Sequence, residues 1–418
     1  MPTSRAQECF VYLQLPDGPE VVTCGRFRLE EGVGRFVYGR RYLERPGAVE
    51  LDRFELPLSG RQFETARMRG MFGALRDASP DSWGRKIIER HLHASDLTEV
   101  DYLLHSPEDR AGALSFGEDL QPPAPVHAFN QIIQLEELLA EAARVEANAP
   151  PSEQVASLVH PGTSLGGARP KNVVEDDQGL WIAKFPSRGD RWNNAAVEAA
   201  MLELAAKCGL RAATTRVLLV GGQSTLLVKR FDRERVPGGY HRKRFVSALS
   251  VLRADDQDLQ ARARWSYPLL ADELRRWAVH PNEDRAELFG RMVFNALISN
   301  ADDHPRNHAL IADRAGWTLS PAYDLTPTPS ISLEHRDLAM TIGERGRWAN
   351  RANLVGSAPR FGLSREEAAR VVDRMKATVA HSWNDLVKKH GGTEGDCEAV
   401  ARAFDYPGFE QSRESATG

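Results

Sequence analysis

The sequence predicts an α+β protein with a β-rich N-terminal part, a small mixed lobe and a mostly helical C-terminal lobe. Residues 9–58 alternate apolar and polar positions in short runs, which is typical of antiparallel strands. Residues 162–231 have the pattern of strands around one helix, and apolar residues beyond 236 recur mostly at helical spacing. We therefore predict three domains, which span 1–122, 123–235 and 236–418.

Composition limits the class of protein. The 418 residues are enough for two or three domains, and 42% hydrophobic with 27% charged residues is typical of a soluble globular protein. A formal net charge of −4 gives no overall basic field, which argues against dominant direct binding to nucleic acid. The scattered cysteines and the absence of a signal peptide or membrane span lead us to expect a cytoplasmic protein without a zinc or disulfide framework.

The N-terminal part is predicted to pass from strands into helices. A helical stretch from Met71 to His93 contains Asp81 and Ser82, and either residue is a suitable helix cap. Two proline-rich breaks then frame a predicted helix from Phe129 to Glu146. The first break is our preferred domain boundary.

The mixed lobe is predicted to contain two hairpins and a helix. Val173-Val174 and Leu180–Phe185 flank a polar turn and form the first hairpin. Ala195–Cys208 is a helix ended by a glycine, and paired strands follow at Thr215–Val220 and Ser224–Val228. These elements have the size and order of a small nucleotide-binding lobe.

The C-terminal lobe begins with the basic run His241–Arg244, which we interpret as a solvated turn. Further on, a helical pattern ends at Asn300, and a short strand is predicted at Trp317–Ser320. Ser364 and Glu367 form a capping box ahead of an amphipathic helix.

Three polar side chains are the candidates for catalysis. Asp302 and Asn307 lie five positions apart in a loop, which is the interval between base and metal ligand in a protein-kinase catalytic loop. Asp324 follows the next predicted strand. Phosphoryl transfer needs a carboxylate to orient the attacking hydroxyl and hard oxygen ligands for Mg²⁺. Asp302 would be the carboxylate that orients the hydroxyl, and Asn307 with Asp324 would be the Mg²⁺ ligands.

Two other interpretations of this loop stay open at this point. Asp and Asn are common turn formers and caps after a helix, and a metal-dependent hydrolase could use Asp302, Asp303 and His304. An ordinary protein kinase is disfavoured, because Asn300-Ala301 replaces the His-Arg before Asp302 and Leu325 replaces the Phe of Asp-Phe-Gly.

A glycine-rich segment, Gly162–Lys171, offers bare backbone amides to a phosphate. Its central residues are Ser164, Leu165, Gly166 and Gly167. Ala168-Arg169 stands where a Walker motif requires Lys and Ser or Thr, so this is not a P-loop of that class. A simple glycine turn is the alternative.

Lys184 shares a strand face with aliphatic neighbours and therefore needs a compensating anion. ATP phosphates would supply one, and so would Glu198, which lies on the apolar stripe of the following helix. By contrast, Glu203 and Lys207 are predicted to form an exposed pair. The alternative is a lysine that reaches solvent and a partly solvated glutamate.

The end of the last strand of this lobe lies where a kinase hinge would be. Backbone groups near Lys229 and Phe231 could bind adenine, and Asp232 could reach the ribose.

Taken together, these motifs resemble the HipA family of serine/threonine kinases, the toxins of bacterial toxin-antitoxin modules. The resemblance extends over nearly the whole chain, and its motifs are Pro80–Arg85, Asp109–Leu114, Ser164–Gly167, Lys184, Arg230–Arg233, Asn300–Asn307 and Ser320–Asp324. It implies a protein-kinase-like fold of HipA type whose N-terminal subdomain is the β-rich part.

The resemblance also implies roles for particular residues. Asp302 would be the catalytic base, Asn307 and Asp324 the magnesium ligands, and Lys184 the lysine that contacts ATP phosphate. Ser164 matches the position at which family members autophosphorylate, and a phosphate there should expel the loop from the ATP site. Arg169 departs from the glutamine of the best-known members.

Characterised toxins of this kind phosphorylate an aminoacyl-tRNA synthetase and are held by a DNA-binding antitoxin of the HipB type. One rival hypothesis is a catalytically silent co-repressor that acts through such an antitoxin. A metal-dependent phosphohydrolase is the other, although it leaves Lys184 and Glu198 without a role.

Overall fold

The structure is a computed structural model and describes residues 6–106, 108–123, 129–147, 149, 169–256, 260–329 and 332–411. The chain forms two compact units. Unit 1 contains residues 1–187, 229–257 and 310–316, and unit 2 contains residues 188–228, 258–309 and 317–418. Because each unit is assembled from separated segments, the linear domain boundaries near residues 122 and 235 remain a prediction.

The strands of the described residues are β1 (Glu8–Gln14), β2 (Val21–Glu30), β3 (Val33–Tyr38), β4 (Phe63–Thr65), β5 (Leu114–Gly117), β6 (Asn130–Gln131), β7 (Lys171–Asp176), β8 (Gly179–Lys184), β9 (Thr215–Val220), β10 (Gln223–Lys229), β11 (Arg233–Val236), β12 (Gly239–Arg242), β13 (Arg244–Ser247), β14 (Ala309–Asp313) and β15 (Gly316–Leu319).

The α-helices of the same residues are α1 (Arg40–Leu43), α2 (Gly73–Asp77), α3 (Ser82–Leu92), α4 (Glu99–Leu104), α5 (Leu135–Glu146), α6 (Asn194–Lys207), α7 (Ala248–Val251), α8 (Tyr267–Trp277), α9 (Pro281–Leu297), α10 (Arg351–Ser357), α11 (Arg365–Lys389) and α12 (Glu394–Phe404). None of them combines the length and the apolar character needed to cross a lipid bilayer.

Unit 1 begins with an antiparallel sheet of strand order β4-β3-β2-β1-β5. Its inner face is aromatic: Phe36 contacts Tyr38 and Phe72 edge to face, with ring centroids 4.8 and 6.4 Å apart. Alternation of apolar and polar residues puts one side chain of each pair into this core. The predicted N-terminal antiparallel sheet is confirmed.

The first hairpin of the mixed lobe is also confirmed, as β7 pairs antiparallel with β8. The predicted helix from Phe129 to Glu146 begins too early. Residues 130 and 131 instead form β6, which pairs parallel with β7, and α5 starts only at Leu135. The backbone amide of Gln131 donates to the side chain of Gln134 at 2.7 Å, so a polar turn precedes the helix.

The interpretation of His241–Arg244 as a solvated turn is wrong. This run lies on β12 and β13, and Arg242 and Arg244 are only 8% and 6% exposed. Arg242 donates to the carbonyls of Gly112 and Leu114 at 3.3 and 2.8 Å. Backbone carbonyls therefore compensate for the burial of its guanidinium, which charge patterning alone does not reveal.

Unit 2 contains the predicted helix of the mixed lobe, α6, which starts at Asn194 and is capped by the Asn193 side chain. Glu203 does not pair with Lys207 as predicted. It accepts hydrogen bonds from Lys389 Nζ at 2.7 Å and contacts His390 Nε2 at 2.8 Å, because α6 packs against α11. The capping box of Ser364 and Glu367 is confirmed at the start of α11.

Candidate active site

Helix α9 leads into the candidate catalytic loop through a backbone turn without glycine. Ser299 has φ of +53°, which is rare for a residue with a side chain. Its Oγ donates to the carbonyl of Ala403 at 2.6 Å and accepts from Arg336 Nη1 at 2.7 Å. The surrounding contacts thus hold the strained turn in place.

A ladder of neutral polar groups fixes the first residues of the loop. Asn300 donates its side-chain amide to Asn295 Oδ1 at 3.1 Å, and Asn295 donates to the hydroxyl of Tyr267 at 3.2 Å. Both asparagines are completely buried. Because leaving such groups unpaired is costly, the ladder gives the loop a single starting geometry.

The loop itself closes around the backbone carbonyl of Asp302. That oxygen accepts from the amide of His304 at 2.8 Å and from Asn307 Nδ2 at 3.1 Å. Asn307 is 6% exposed, whereas the side chain of Asp302 is exposed. The structure therefore brings the predicted base and metal ligand onto one loop, with a fixed backbone beneath an accessible carboxylate.

Asp303 has a different environment from Asp302. It is fully buried, and its carboxylate lies 3.0 Å from Nε2 of His308, whose ring packs on Tyr267 at 5.4 Å. This pair was not predicted, although the five-residue separation of Asp303 and His308 was a usable signal. Since His308 engages the Asp303 carboxylate, a hydrolase site of Asp302, Asp303 and His304 is disfavoured.

Asp324 follows β15 and has φ of +58°. The residue before it links the two loops, because the hydroxyl of Tyr323 donates to the carbonyl of Arg306 at 2.6 Å. The segment is also anchored by Ala322, whose amide donates to the carbonyl of Arg211 at 2.7 Å. Asp324 is thus half-buried on a loop tied directly to the loop of Asp302.

Asp284 on α9 supports this arrangement and was not predicted. It is 1% exposed and accepts from the amide of Leu319 at 2.9 Å, from the hydroxyl of Thr318 at 3.0 Å and from Arg211 at 2.6 Å. An acidic residue in the first turn of a helix is usually explained by the helix dipole alone. Here it also fixes the end of β15, and therefore the start of the Asp324 loop.

The donor set suits a hard cation such as Mg²⁺. The amide nitrogen of Asn307 donates to the Asp302 carbonyl, so its Oδ1 can act as a metal ligand, and Asp324 supplies a carboxylate. The described residues contain no group of three or more His, Cys, Asp or Glu that could hold a metal by itself. A cation bound by Asn307 and Asp324 would therefore need further oxygen ligands, such as water and nucleotide phosphate.

The predicted lysine and glutamate pair is divided between the units. Lys184 is half-buried at the end of β8 in unit 1, and Glu198 is 6% exposed on α6 in unit 2. Glu198 is buried as the apolar stripe of its helix indicated, whereas Lys184 is only half-buried. The ion pair between them stays a prediction.

The predicted hinge residues belong to unit 1. The amide of Arg230 donates to the carbonyl of Leu180 at 2.9 Å, and Lys229 Nζ lies 5.8 Å from the ring centroid of Trp181. Phe231 is half-buried. Adenine binding by the backbone near Lys229 and Phe231 stays a prediction.

Asp232 is the centre of a buried ionic cluster rather than an open side chain. It is 1% exposed and accepts from Arg230 Nε at 2.9 Å, from Arg233 Nη1 at 2.7 Å and from the amide of Gly112 at 2.9 Å. Burial alone would raise the pKa of Asp232, but Arg230 and Arg233 outweigh burial and hold it well below its usual value. The geometry does not favour the predicted ribose contact, which stays a prediction.

The predicted glycine-rich residues Ser164, Leu165, Gly166 and Gly167 lie outside the described residues. The strand β7, a few residues further along the chain, is firmly held. Its first residue, Lys171, is 4% exposed and places Nζ 2.5 Å from Asp81, the residue that caps α3. The indole of Trp83 donates to the carbonyl of Lys171 at 3.1 Å. The predicted capping role of Asp81 is confirmed, and its contact with Lys171 is additional.

Comparison with known proteins agrees with this fold. The HipA of Shewanella oneidensis MR-1, solved with HipB and its operator DNA, has a TM-score of 0.71 and is 19% identical in sequence. The match covers 96% of this chain and 98% of the Shewanella chain. Two proteins of Sinorhizobium fredii (strain NBRC 101917 / NGR234) are similar in sequence. "Putative kinase Y4mE" is 26% identical, and the match covers 84% of this chain and 87% of the relative. "Putative kinase Y4dM" is 30% identical, but the match covers only 37% of this chain and 39% of the relative.

Two family profiles also match the chain. The HipA N-terminal domain profile matches residues 21–117, and the HipA-like C-terminal domain profile matches residues 163–383. The second match covers more than half of the chain. The chain therefore belongs to the HipA family.

Proposed function

We propose that this protein is a serine/threonine protein kinase that uses Mg-ATP. One observation supports the proposal most strongly: the exposed carboxylate of Asp302 lies on a loop whose backbone is fixed by Asn307, beside the loop of Asp324. Phosphoryl transfer requires one carboxylate for the hydroxyl and oxygen ligands for the cation, and these residues offer both kinds of group.

In the proposed reaction, Asp302 accepts the proton of a serine or threonine hydroxyl as that oxygen bonds to the γ-phosphorus of ATP. The bond between the γ-phosphorus and the bridging oxygen of the β-phosphate breaks, and ADP leaves. Asn307 and Asp324 hold the Mg²⁺ that offsets the phosphate charge. The rigid backbone of the loop keeps Asp302 in place without reorganisation.

The remaining predicted residues complete the ATP site in this proposal. Lys184, ordered by Glu198, neutralises phosphate charge, and the amides of the segment from Ser164 to Gly167 cradle it. The backbone near Lys229 and Phe231 takes adenine, and Asp232 orders that segment through its ionic cluster. Autophosphorylation of Ser164 would expel the segment from the site and switch the kinase off.

The biological setting of the proposal comes from the family. The solved Shewanella protein was observed with HipB and operator DNA, which supports a HipB-like DNA-binding antitoxin as partner. We propose that the chain is the toxin of such a cytoplasmic module, that it contacts DNA only through the antitoxin, and that its substrate is a protein such as an aminoacyl-tRNA synthetase.

The test is phosphosite mass spectrometry of the purified, folded protein after incubation with Mg-ATP. Asp302→Ala is run in parallel, with Asp385→Asn, an exposed residue of α11, as the control. Phosphate on Ser164 in the wild type and control but not in Asp302→Ala supports the proposal. Absence of protein phosphorylation in the wild type, with added candidate substrates included, would favour the silent co-repressor. Release of inorganic phosphate without labelled protein would favour a phosphohydrolase.

A further inference from the structure

A polar groove in unit 2 has no part in the proposed chemistry. Its volume is about 300 Å³, and it lies beside α10. The side chains that give it its character are Glu344, Arg345, Arg351, Asn353 and Arg365. Three arginines against one glutamate make the groove cationic in a protein whose net charge is −4.

Two of these arginines are uncommitted. Arg351 is held by Asp373, with Nη2 2.8 Å from the carboxylate. Neither Arg345 nor Arg365 forms an ion pair with a carboxylate of the described residues, and both are exposed. The guanidinium of Arg345 lies 5.9 Å from the ring centroid of Trp348. Among the described residues, no carboxylate therefore competes with an incoming anion for these two guanidiniums.

The wall that carries Arg345 is rigid. Asn353 is 3% exposed, accepts from the amide of Arg345 at 3.0 Å and donates to the carbonyls of Gly346 and Trp348 at 3.1 and 2.9 Å. A binding surface on such a wall loses little conformational entropy when a ligand arrives.

The groove is also linked to the candidate catalytic loop. Its wall belongs to the segment that comes after Asp324, and in that segment the amide of Thr341 donates to the carbonyl of Trp265 at 2.8 Å. The amide of Tyr267 donates back to Thr341 at 3.0 Å, and the ring of Tyr267 packs on His308. One hydrogen-bonded framework thus supports both the groove and the loop of Asp302.

We propose that this groove docks an acidic segment of the protein substrate, an inference that rests on the proposed kinase function. Arginine binds carboxylate through two parallel hydrogen bonds, so Arg345 and Arg365 fit separate Asp or Glu side chains. A nucleic acid fits less well, because Glu344 would repel a continuous phosphate backbone and no aromatic lining residue offers a base-stacking surface.

The test measures binding of a fluorescein-labelled peptide, rich in glutamate and glycine, to the full-length protein without ATP. A peptide with glutamine in place of glutamate and a short single-stranded RNA are the comparison probes. Arg345→Glu/Arg365→Glu reverses the groove charge. Arg370→Glu is the matched control, since it is exposed on α11 about 140° around the helix from Arg365.

We expect the acidic peptide to bind the wild type and Arg370→Glu within about twofold of each other, and the double variant at least about tenfold more weakly. If the reversal does not fold, Arg345→Gln/Arg365→Gln is compared instead. Equal binding to wild type and double variant, no preference over the glutamine peptide, or tighter RNA binding each overturns the proposal. The peptide-binding assay needs no turnover, so its result can be interpreted even if the protein is not an active kinase. A failure of peptide binding would not change the outcome of the phosphorylation test.

Discussion

Asp232 in unit 1 and Asp302 in unit 2 are the same residue type in opposite situations. Asp232 is 1% exposed, and its carboxylate accepts from two guanidiniums and a backbone amide. Asp302 is exposed, and none of the described side chains or amides bonds to its carboxylate. Only the backbone carbonyl of Asp302 is fixed, by His304 and Asn307.

The difference shows what separates a structural carboxylate from a reactive one. The oxygens of Asp232 are engaged by buried donors, so they stabilise the fold. At Asp302 the fold fixes the backbone and leaves the oxygens available, which is the preorganisation that general-base chemistry needs. Removing either carboxylate should therefore affect different measurements.

The largest expected effect is on the activity of Asp302→Asn. The substitution removes the proposed proton acceptor, so kcat for protein phosphorylation should fall about 10³-fold. The free energy of unfolding should change by less than about 0.5 kcal/mol, because the side chain is exposed. Urea denaturation with kinase assays measures both. A large loss of stability would mean that Asp302 is structural after all.

Asp232→Asn should show the opposite pattern. It leaves Arg230 and Arg233 buried with too little negative charge, so the free energy of unfolding should fall by about 3–5 kcal/mol. Chemical denaturation measures this, with Asp385→Asn as the exposed control. A stable Asp232→Asn protein with weakened ATP binding would instead support the ribose contact.

Asp303→Asn is an intermediate case, because Asp303 is buried against His308 but adjoins Asp302. Loss of the charged acceptor should cost about 1–3 kcal/mol of stability and lower kcat while the KM for ATP stays unchanged. Chemical denaturation measures the change in stability. Steady-state kinetics at a temperature where the variant is folded measure kcat and KM. An unchanged kcat would show that the pair does not position the loop.

A further prediction concerns pH and a second buried acid of unit 1. Burial raises the pKa of Asp109 from 3.8 to about 6, although Arg230 opposes the change. Between these values the unfolded state releases a proton that the folded state keeps, so this group lowers stability as pH rises. The wild type should therefore lose stability relative to Asp109→Asn from about pH 4 to 6.

Asp232 should respond with the opposite sign. Its pKa is lowered in the folded state, so its contribution is present above the unfolded value of 3.8 and is lost as pH falls below it. The advantage of the wild type over Asp232→Asn should therefore shrink in acid. Denaturation series at several pH values test both slopes, and parallel slopes would contradict the assignment of the two carboxyls.

Local patterns predicted much of the fold and the placement of the candidate site. Strand alternation was sufficient for the N-terminal sheet, and the polar turn was sufficient for the β7–β8 hairpin. The spacing of Asp302 and Asn307 also placed both on one loop. These features depend on neighbours within a few residues, which the sequence displays directly.

Long-range partners decided the rest. The basic run His241–Arg244 looks solvated in the sequence, but Arg242 is buried and donates to the distant carbonyls of Gly112 and Leu114. Asp232 looks available, but it accepts hydrogen bonds from Arg230, Arg233 and Gly112. Glu203 pairs with Lys389 rather than with its helical neighbour for the same reason.

The sequence by itself thus determined most of the element types, the order of the motifs and the candidate residues for phosphoryl transfer. Only the tertiary structure decided which carboxylates accept hydrogen bonds from distant segments and which remain accessible to solvent. The physical reason is that a polar side chain is buried only where donors or acceptors compensate for its lost hydration, and those partners come from segments far away along the chain.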